Sequence, residues 1–128
     1  MATVGVGVDV VDVERFALAM KRHPRILDRL FTDQERRDAK SRPERLAARF
    51  AAKEAVLKTL QSGVGAVAWR SIEVRKAPSG APSIHLYEEA EQLALGHGVS
   101  TLHVSLSHTA LSAVAFVVGC GPEDTHAS

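Results

Sequence analysis

Thr3-Val4-Gly5-Val6-Gly7-Val8-Asp9-Val10-Val11 alternates by twos. Val4, Val6, Val8 and Val10 fall on one face, and Gly5, Gly7, Asp9 and Val11 on the other. That is the period of a β-strand. The stretch predicts a strand with one apolar face and a second face that is bare until it presents one carboxylate. Gly5-Val6-Gly7 is not a dinucleotide fingerprint, because no third glycine follows at the required spacing and the glycines lie inside the strand. Two glycines on one face leave the backbone open to close approach by a ligand or another element. Asp is depleted in strands. Asp9 is therefore either a strand-end carboxylate that caps or pairs with an arginine, or a group that faces a ligand.

Helical patterns follow. The stretch 13–30 reads as helix, with a break or bend near His23-Pro24. Thr32-Asp33-Gln34-Glu35 fits a capping box, and Ser41-Arg42-Pro43-Glu44 fits a second that opens the longest helix. Gly63 is the expected glycine past its end, near Gln61. Strands are predicted over 70–76 and 83–86, on either side of the Pro- and Gly-bearing turn 77–82. A helix is predicted over 87–97, then strands over 101–107 and 112–118. The order β, several helices, ββ, α, ββ predicts an α+β domain, with a mainly antiparallel sheet packed on one long helix. A single domain over 1–118 and a loose polar tail over 119–128 are expected.

The chain has 128 residues, enough for one ordinary domain. Hydrophobic residues make up 45% and charged residues 24%, so a real core is within reach and disorder is a poor expectation. Sixteen Lys and Arg against fifteen Asp and Glu give a net charge of +1. A surface that tracks a polyanion throughout is excluded, whereas a local basic patch is not. Aromatics are only 5%, with no evident stacking platform, which argues against nucleic acid. Cys120 is the one cysteine, so no intrachain disulfide and no Cys-rich zinc site can form. A reducing, cytoplasmic setting is expected. No apolar run reaches the roughly 18 residues of a membrane span, and no signal peptide is expected.

The long helix carries the next anomalies. Leu46, Phe50, Leu57 and Leu60 define an apolar arc, with Lys53 in its middle and Arg49 on its edge. Either their stems pack while the charged heads reach the surface, or an anion waits for them. Glu54 and Lys58 are four apart in the favourable order, and a surface ion pair accounts for that spacing. Ala47, Ala51 and Ala55 form a small-residue stripe where another segment can pack closely. His108 ends a strand beside hydroxyl residues, as a hydrogen-bonded structural residue or as part of a phosphate site. The other histidines show no metal spacing. Arg15, Arg22 and Arg29 recur every seven residues, with Arg25 nearby. If the helix continues through Pro24 they form one basic stripe, either a solvated face or a dock for an acidic partner.

Taken together, these segments resemble the short 4′-phosphopantetheinyl transferases of the holo-acyl-carrier-protein synthase family. Gly5-Val6-Gly7-Val8-Asp9-Val10 is similar to the family's opening strand, and Phe31-Thr32-Asp33-Gln34-Glu35 to its F-T-x-x-E element. Arg49-Phe50-Ala51-Ala52-Lys53-Glu54-Ala55, with Lys58, matches its R-[FW]-A-A-K-E-A-x-x-K helix. Gly80-Ala81-Pro82 matches its G-x-P turn, and His103-Val104-Ser105-Leu106-Ser107-His108 its H-V-S-[IL]-[ST]-H strand. The motifs keep the family's order from Val4 to about Val118. The loop 61–70 departs from the family's commonest Gly-Thr-Gly form.

The resemblance implies transfer of 4′-phosphopantetheine from coenzyme A to a serine of an apo acyl carrier protein. It implies magnesium held by Asp9 and Glu54, with Lys58 neutralising the pyrophosphate. Arg49, Gly80, Pro82, His108 and Thr109 match positions expected at the coenzyme A site, with His108 and Thr109 on the ribose 3′-phosphate. The carrier is expected to be a small acidic helical protein docking on Arg15, Arg22 and Arg25. A homotrimer with shared active sites is expected. The rival reading is a non-catalytic α+β module that binds an acidic protein or a nucleotide, with no role for Asp9 or Glu54.

Overall fold

The computed structural model describes residues 1–123. Strand β1 (Ala2–Asp12) leads into helices α1 (Val13–Arg22), α2 (Ile26–Leu30), α3 (Asp33–Ala39) and α4 (Pro43–Thr59). A 3-10 turn (Trp69–Ser71), β2 (Ile72–Lys76), β3 (Pro82–Leu86), α5 (Glu88–Gly96), β4 (Thr101–His108) and β5 (Ser112–Gly121) complete the chain. The α+β class and the antiparallel pairing stand as expected. The strands form two sheets: three strands in the order β1-β5-β4, and the hairpin β2-β3. Helix α4 lies across both, so one long helix organises the core.

The alternation of β1 is as read, but its packed face is the bare one. Gly5 and Gly7 lie against α4 so closely that a Cβ would come within 2.5 Å of the Thr59 carbonyl oxygen at Gly5 and 2.1 Å of that of Ala55 at Gly7. The other element invited by the glycines is α4. Val4, Val6, Val8 and Val10 are all exposed, as is Phe116, the cross-strand partner of Val8. The apolar face of the strand is therefore an outer face.

The helical stretch 13–30 breaks at His23–Arg25 into α1 and α2, where the break was expected, so the arginines do not share one continuous helix. Three local expectations change. Helix α4 starts one residue late: Arg42 is its N-cap without a side-chain hydrogen bond, and Pro43 is its first residue. Ser41 cannot cap, because it follows Lys40 in the left-handed region (φ 54°), whereas an N-cap is extended. The helix ends on Gln61 rather than Gly63. Gln61 (φ 54°) donates to the Lys58 carbonyl, and Ser62 donates to that of Leu57, the paired bonds of a Schellman end. The segment 119–128 also divides: Gly119, Cys120 and Gly121 belong to β5, and 124–128 lie outside the described residues. The expected capping box at Thr32 is present in both its bonds.

Candidate active site

Helix α4 is buried almost all round, which the alanine stripe permits. Phe50, Glu54 and Lys58, each one turn further on, are its less enclosed positions in the middle and last turns. That stripe runs beside β1. Lys58 donates to the carboxylate of Asp9 at 2.9 Å and to the Val8 carbonyl at 3.0 Å. The spacing of Glu54 and Lys58 suggested a mutual pair, yet the lysine is drawn to Asp9, whose carboxylate is nearly enclosed. Glu54 is left facing the same carboxylate. Burial, and then the charge and hydrogen-bonding oxygens of Asp9, push its pKa above the ordinary 4.5 against the pull of Lys58. Two carboxylates sharing one small place resist being ionised together. A hard divalent cation removes that conflict. Among the described residues no three His, Cys, Asp or Glu cluster as a complete cage, so further ligands would be oxygens of water or substrate.

Glu54 also borders a cleft of about 360 Å³ walled by Val10, Val11, Phe16 and Phe50, with Arg15 at its edge. A second cleft, of about 220 Å³, collects Arg49, Gly80, Pro82 and His108. Four of the residues expected to bind one ligand therefore meet from α4, the β2–β3 turn and the end of β4. Arg45, Arg75 and Lys76 join them, with Asp38 as the one acid. Arg49 is buried, its Nε has no hydrogen-bond partner, and desolvation holds its pKa below the ordinary arginine value. A buried guanidinium with an idle donor in a cationic cleft suits an anion.

Thr109 is placed differently. Its hydroxyl accepts from the Leu111 and Ser112 amides and closes the β4–β5 turn. It is absent from the lining of the cleft that His108 enters. Arg22 and Arg25 line a third cleft at the α1–α2 break, with Arg29 and Ile26, apart from Arg15.

Lys53 has no place in these clefts. It is fully buried and donates to Glu35 at 2.8 Å and to the Trp69 and Ile72 carbonyls. Glu35 also accepts from the Thr32 and Val74 amides. The lysine thus joins α3, α4 and β2 from inside. Sequence reasoning marked Lys53 as anomalous but missed this partner. It also missed Arg45, Arg75 and Lys76. Arg45 could have been noticed one turn before Arg49, whereas the β2 pair carries no local signal.

The family model for the 4′-phosphopantetheinyl transferase superfamily matches residues 5–115. The chain belongs to that superfamily. The β1 carboxylate, the Lys-Glu helix and the Ser-His strand all lie within the matched residues. A holo-[acyl-carrier-protein] synthase from Frankia casuarinae is 50% identical over 92% of this chain and 98% of its own. One from Clavibacter michiganensis is 48% identical over 89% of this chain and 92% of its own. Among solved superfamily structures, the Helicobacter pylori holo-[acyl-carrier-protein] synthase in complex with coenzyme A superposes with a TM-score of 0.82. It is 32% identical and covers 90% of this chain and 99% of its own. The Mycobacterium tuberculosis acyl carrier protein synthase gives 0.74 at 36% identity, covering 94% and 100%. Among the described residues no helix is long and apolar enough to cross a membrane.

Proposed function

We propose that this superfamily member is a holo-[acyl-carrier-protein] synthase that moves 4′-phosphopantetheine from coenzyme A to a serine of an apo acyl carrier protein. The serine oxygen attacks the phosphorus bearing the pantetheine arm. The bond from that phosphorus to the bridging oxygen breaks, adenosine 3′,5′-bisphosphate leaves with the electron pair, and the serine proton is lost. The observation that carries this reading is the meeting of Asp9, Glu54 and Lys58 on facing elements. Neither capping nor core packing asks for two carboxylates there.

Asp9 and Glu54 would hold magnesium, which when bound neutralises phosphate charge and orients oxygens for displacement. Lys58 supplies a fixed positive charge beside the same phosphate. Arg49 and His108, with the Gly80–Pro82 turn, would hold the nucleotide end of coenzyme A. Arg15, Arg22 and Arg25 would steer the acidic carrier. Arg15 lines the Glu54 cleft, and the other two line the cleft at the α1–α2 break. The exposed face of Val6, Val8, Val10 and Phe116 supports a homotrimer, because an apolar patch on a small sheet is usually covered.

Intact-mass spectrometry of an apo carrier incubated with the protein, coenzyme A and magnesium tests the reading. The carrier gains one phosphopantetheine, and the gain is lost with EDTA or in Glu54→Ala. No gain with several apo carriers and folded protein would overturn it.

A further inference from the structure

The basic cleft contains one arginine that is built into place. Arg75, on β2, donates from Nε to a Glu73 carboxylate oxygen at 2.7 Å and from Nη2 to the Tyr87 hydroxyl. The Tyr87 hydroxyl donates to the same Glu73 oxygen at 3.0 Å, closing a triangle. The other Glu73 oxygen accepts from the Thr32 hydroxyl at 2.6 Å. Glu73 is buried, whereas the Arg75 side chain is about half exposed. A surface arginine ordinarily loses much rotamer freedom when it binds a ligand. Here the Nε and Nη2 donors of the guanidinium are fixed in advance, and Nη1 makes no hydrogen bond among the described residues.

The chemistry of the cleft says what such a group is for. Arg45, Arg49, Arg75 and Lys76 face it against Asp38 alone. Asp9, Glu54 and Lys58 are not part of its lining. Coenzyme A carries two anionic groups. Its pyrophosphate contains the reacting phosphorus and belongs beside the carboxylates and Lys58. The anion left for the basic cleft is the phosphate monoester on the ribose, nearly doubly charged at neutral pH. A planar guanidinium with a free donor edge matches its oxygens.

We infer that Arg75, held by Glu73 and Tyr87, reads the ribose phosphate monoester and selects coenzyme A over dephospho-coenzyme A. This rests on the transferase reading above. Arg75 is a specificity residue, and Glu73 and Tyr87 are positioning residues. Burial raises the Glu73 pKa, but the bonds from Thr32, Arg75 and Tyr87 outweigh it and bring it below the ordinary value, in keeping with an ionised clamp.

The test compares coenzyme A with dephospho-coenzyme A in steady-state transfer to an apo carrier, using wild type, Arg75→Gln and Tyr87→Phe. In Arg75→Gln the kcat/KM preference for coenzyme A falls by about tenfold or more, while dephospho-coenzyme A turns over within about twofold of wild type. In Tyr87→Phe the KM for coenzyme A rises by about threefold at unchanged kcat, with no change for dephospho-coenzyme A. A purely structural Arg75 would slow both substrates alike. An unchanged preference in Arg75→Gln, or none in wild type, overturns the inference and leaves the transferase intact. Calorimetry with adenosine 3′,5′-bisphosphate and adenosine 5′-monophosphate separates the two claims. Wild-type preference for the bisphosphate, lost in Arg75→Gln, supports the inference even if no transfer occurs. Equal binding of both nucleotides, or binding of neither, overturns it.

Discussion

Lys58 chooses between two carboxylates, and its choice shows what Glu54 is for. An exposed Glu–Lys pair one turn apart is worth only a few tenths of a kcal/mol, so a nearly enclosed Asp9 with a backbone carbonyl beside it wins the ammonium. Glu54 is then left partly buried beside the charge of Asp9, which Lys58 only partly offsets, and its raised pKa has a stability consequence. A carboxyl whose folded pKa lies above its unfolded value binds more protons when folded. Stability is therefore lost as pH rises above about 4.5, the ordinary value. Without divalent ions, Glu54→Gln should melt higher than wild type near pH 7, and the gap should close below that ordinary value. Thermal melts across pH check this. Magnesium should raise the wild-type midpoint and not that of Glu54→Gln, while transfer falls by about 100-fold or more in the variant. A lower melting variant at neutral pH would show that Glu54 is a structural ion-pair member.

At the scale of elements, α4 depends on what it is allowed to touch. Gly7 is needed because the helix backbone occupies the place of its Cβ, 2.1 Å from the Ala55 carbonyl oxygen. Gly7→Ala must push α4 off β1, and a loss of about 1–3 kcal/mol or more in urea unfolding is expected. The buried Lys53–Glu35 pair fixes the same helix from its other side. Lys53→Met should cost about 3–5 kcal/mol by leaving Glu35 charged and unpaired, and the double variant with Glu35→Gln should recover part of it. Equal losses in the single and double variants would remove the pair from the account. These contacts also mark how far the sequence was legible. Alternation, capping residues and the Gly-Pro turn gave every strand and helix, because those signals are local. The face of β1 was not, because valines on a strand signal burial only if the opposite face is not claimed by a helix. The partner of Lys53 lies 18 residues away on another element, and Arg75 acquires its triangle from β2 and the start of α5. Asp9 and Arg49 were visible as breaks in local pattern, whereas Glu54 read as half of a surface ion pair with Lys58, and only the packing of α4 on β1 brings Glu54 to Asp9.

At the scale of the molecule, the exposed face of the three-stranded sheet demands a partner. Val8 stands across from Phe116, and Phe116 across from Ser105 on β4. Val6 and Val10 extend the patch along the same strand, and all four apolar side chains are between about half and two-thirds exposed. Burying such a surface is favourable by roughly 25 cal/mol per Å², and the low net charge of +1 offers little repulsion between copies. Association through this face would also reach the site, since Asp9 lies between Val8 and Val10 on β1 and faces the opposite way. Any shift of that strand moves the carboxylate that Lys58 holds. A single Val8→Asp change places a charge in the middle of the patch without touching the packed glycine face. Analytical ultracentrifugation should show wild type as a trimer at micromolar concentration and Val8→Asp as a monomer with native circular dichroism. Transfer activity should fall with the trimer fraction on dilution of wild type, so that specific activity depends on protein concentration. A wild-type monomer at full activity would assign the valine face to another partner, and a Val8→Asp trimer would move the interface elsewhere on the surface.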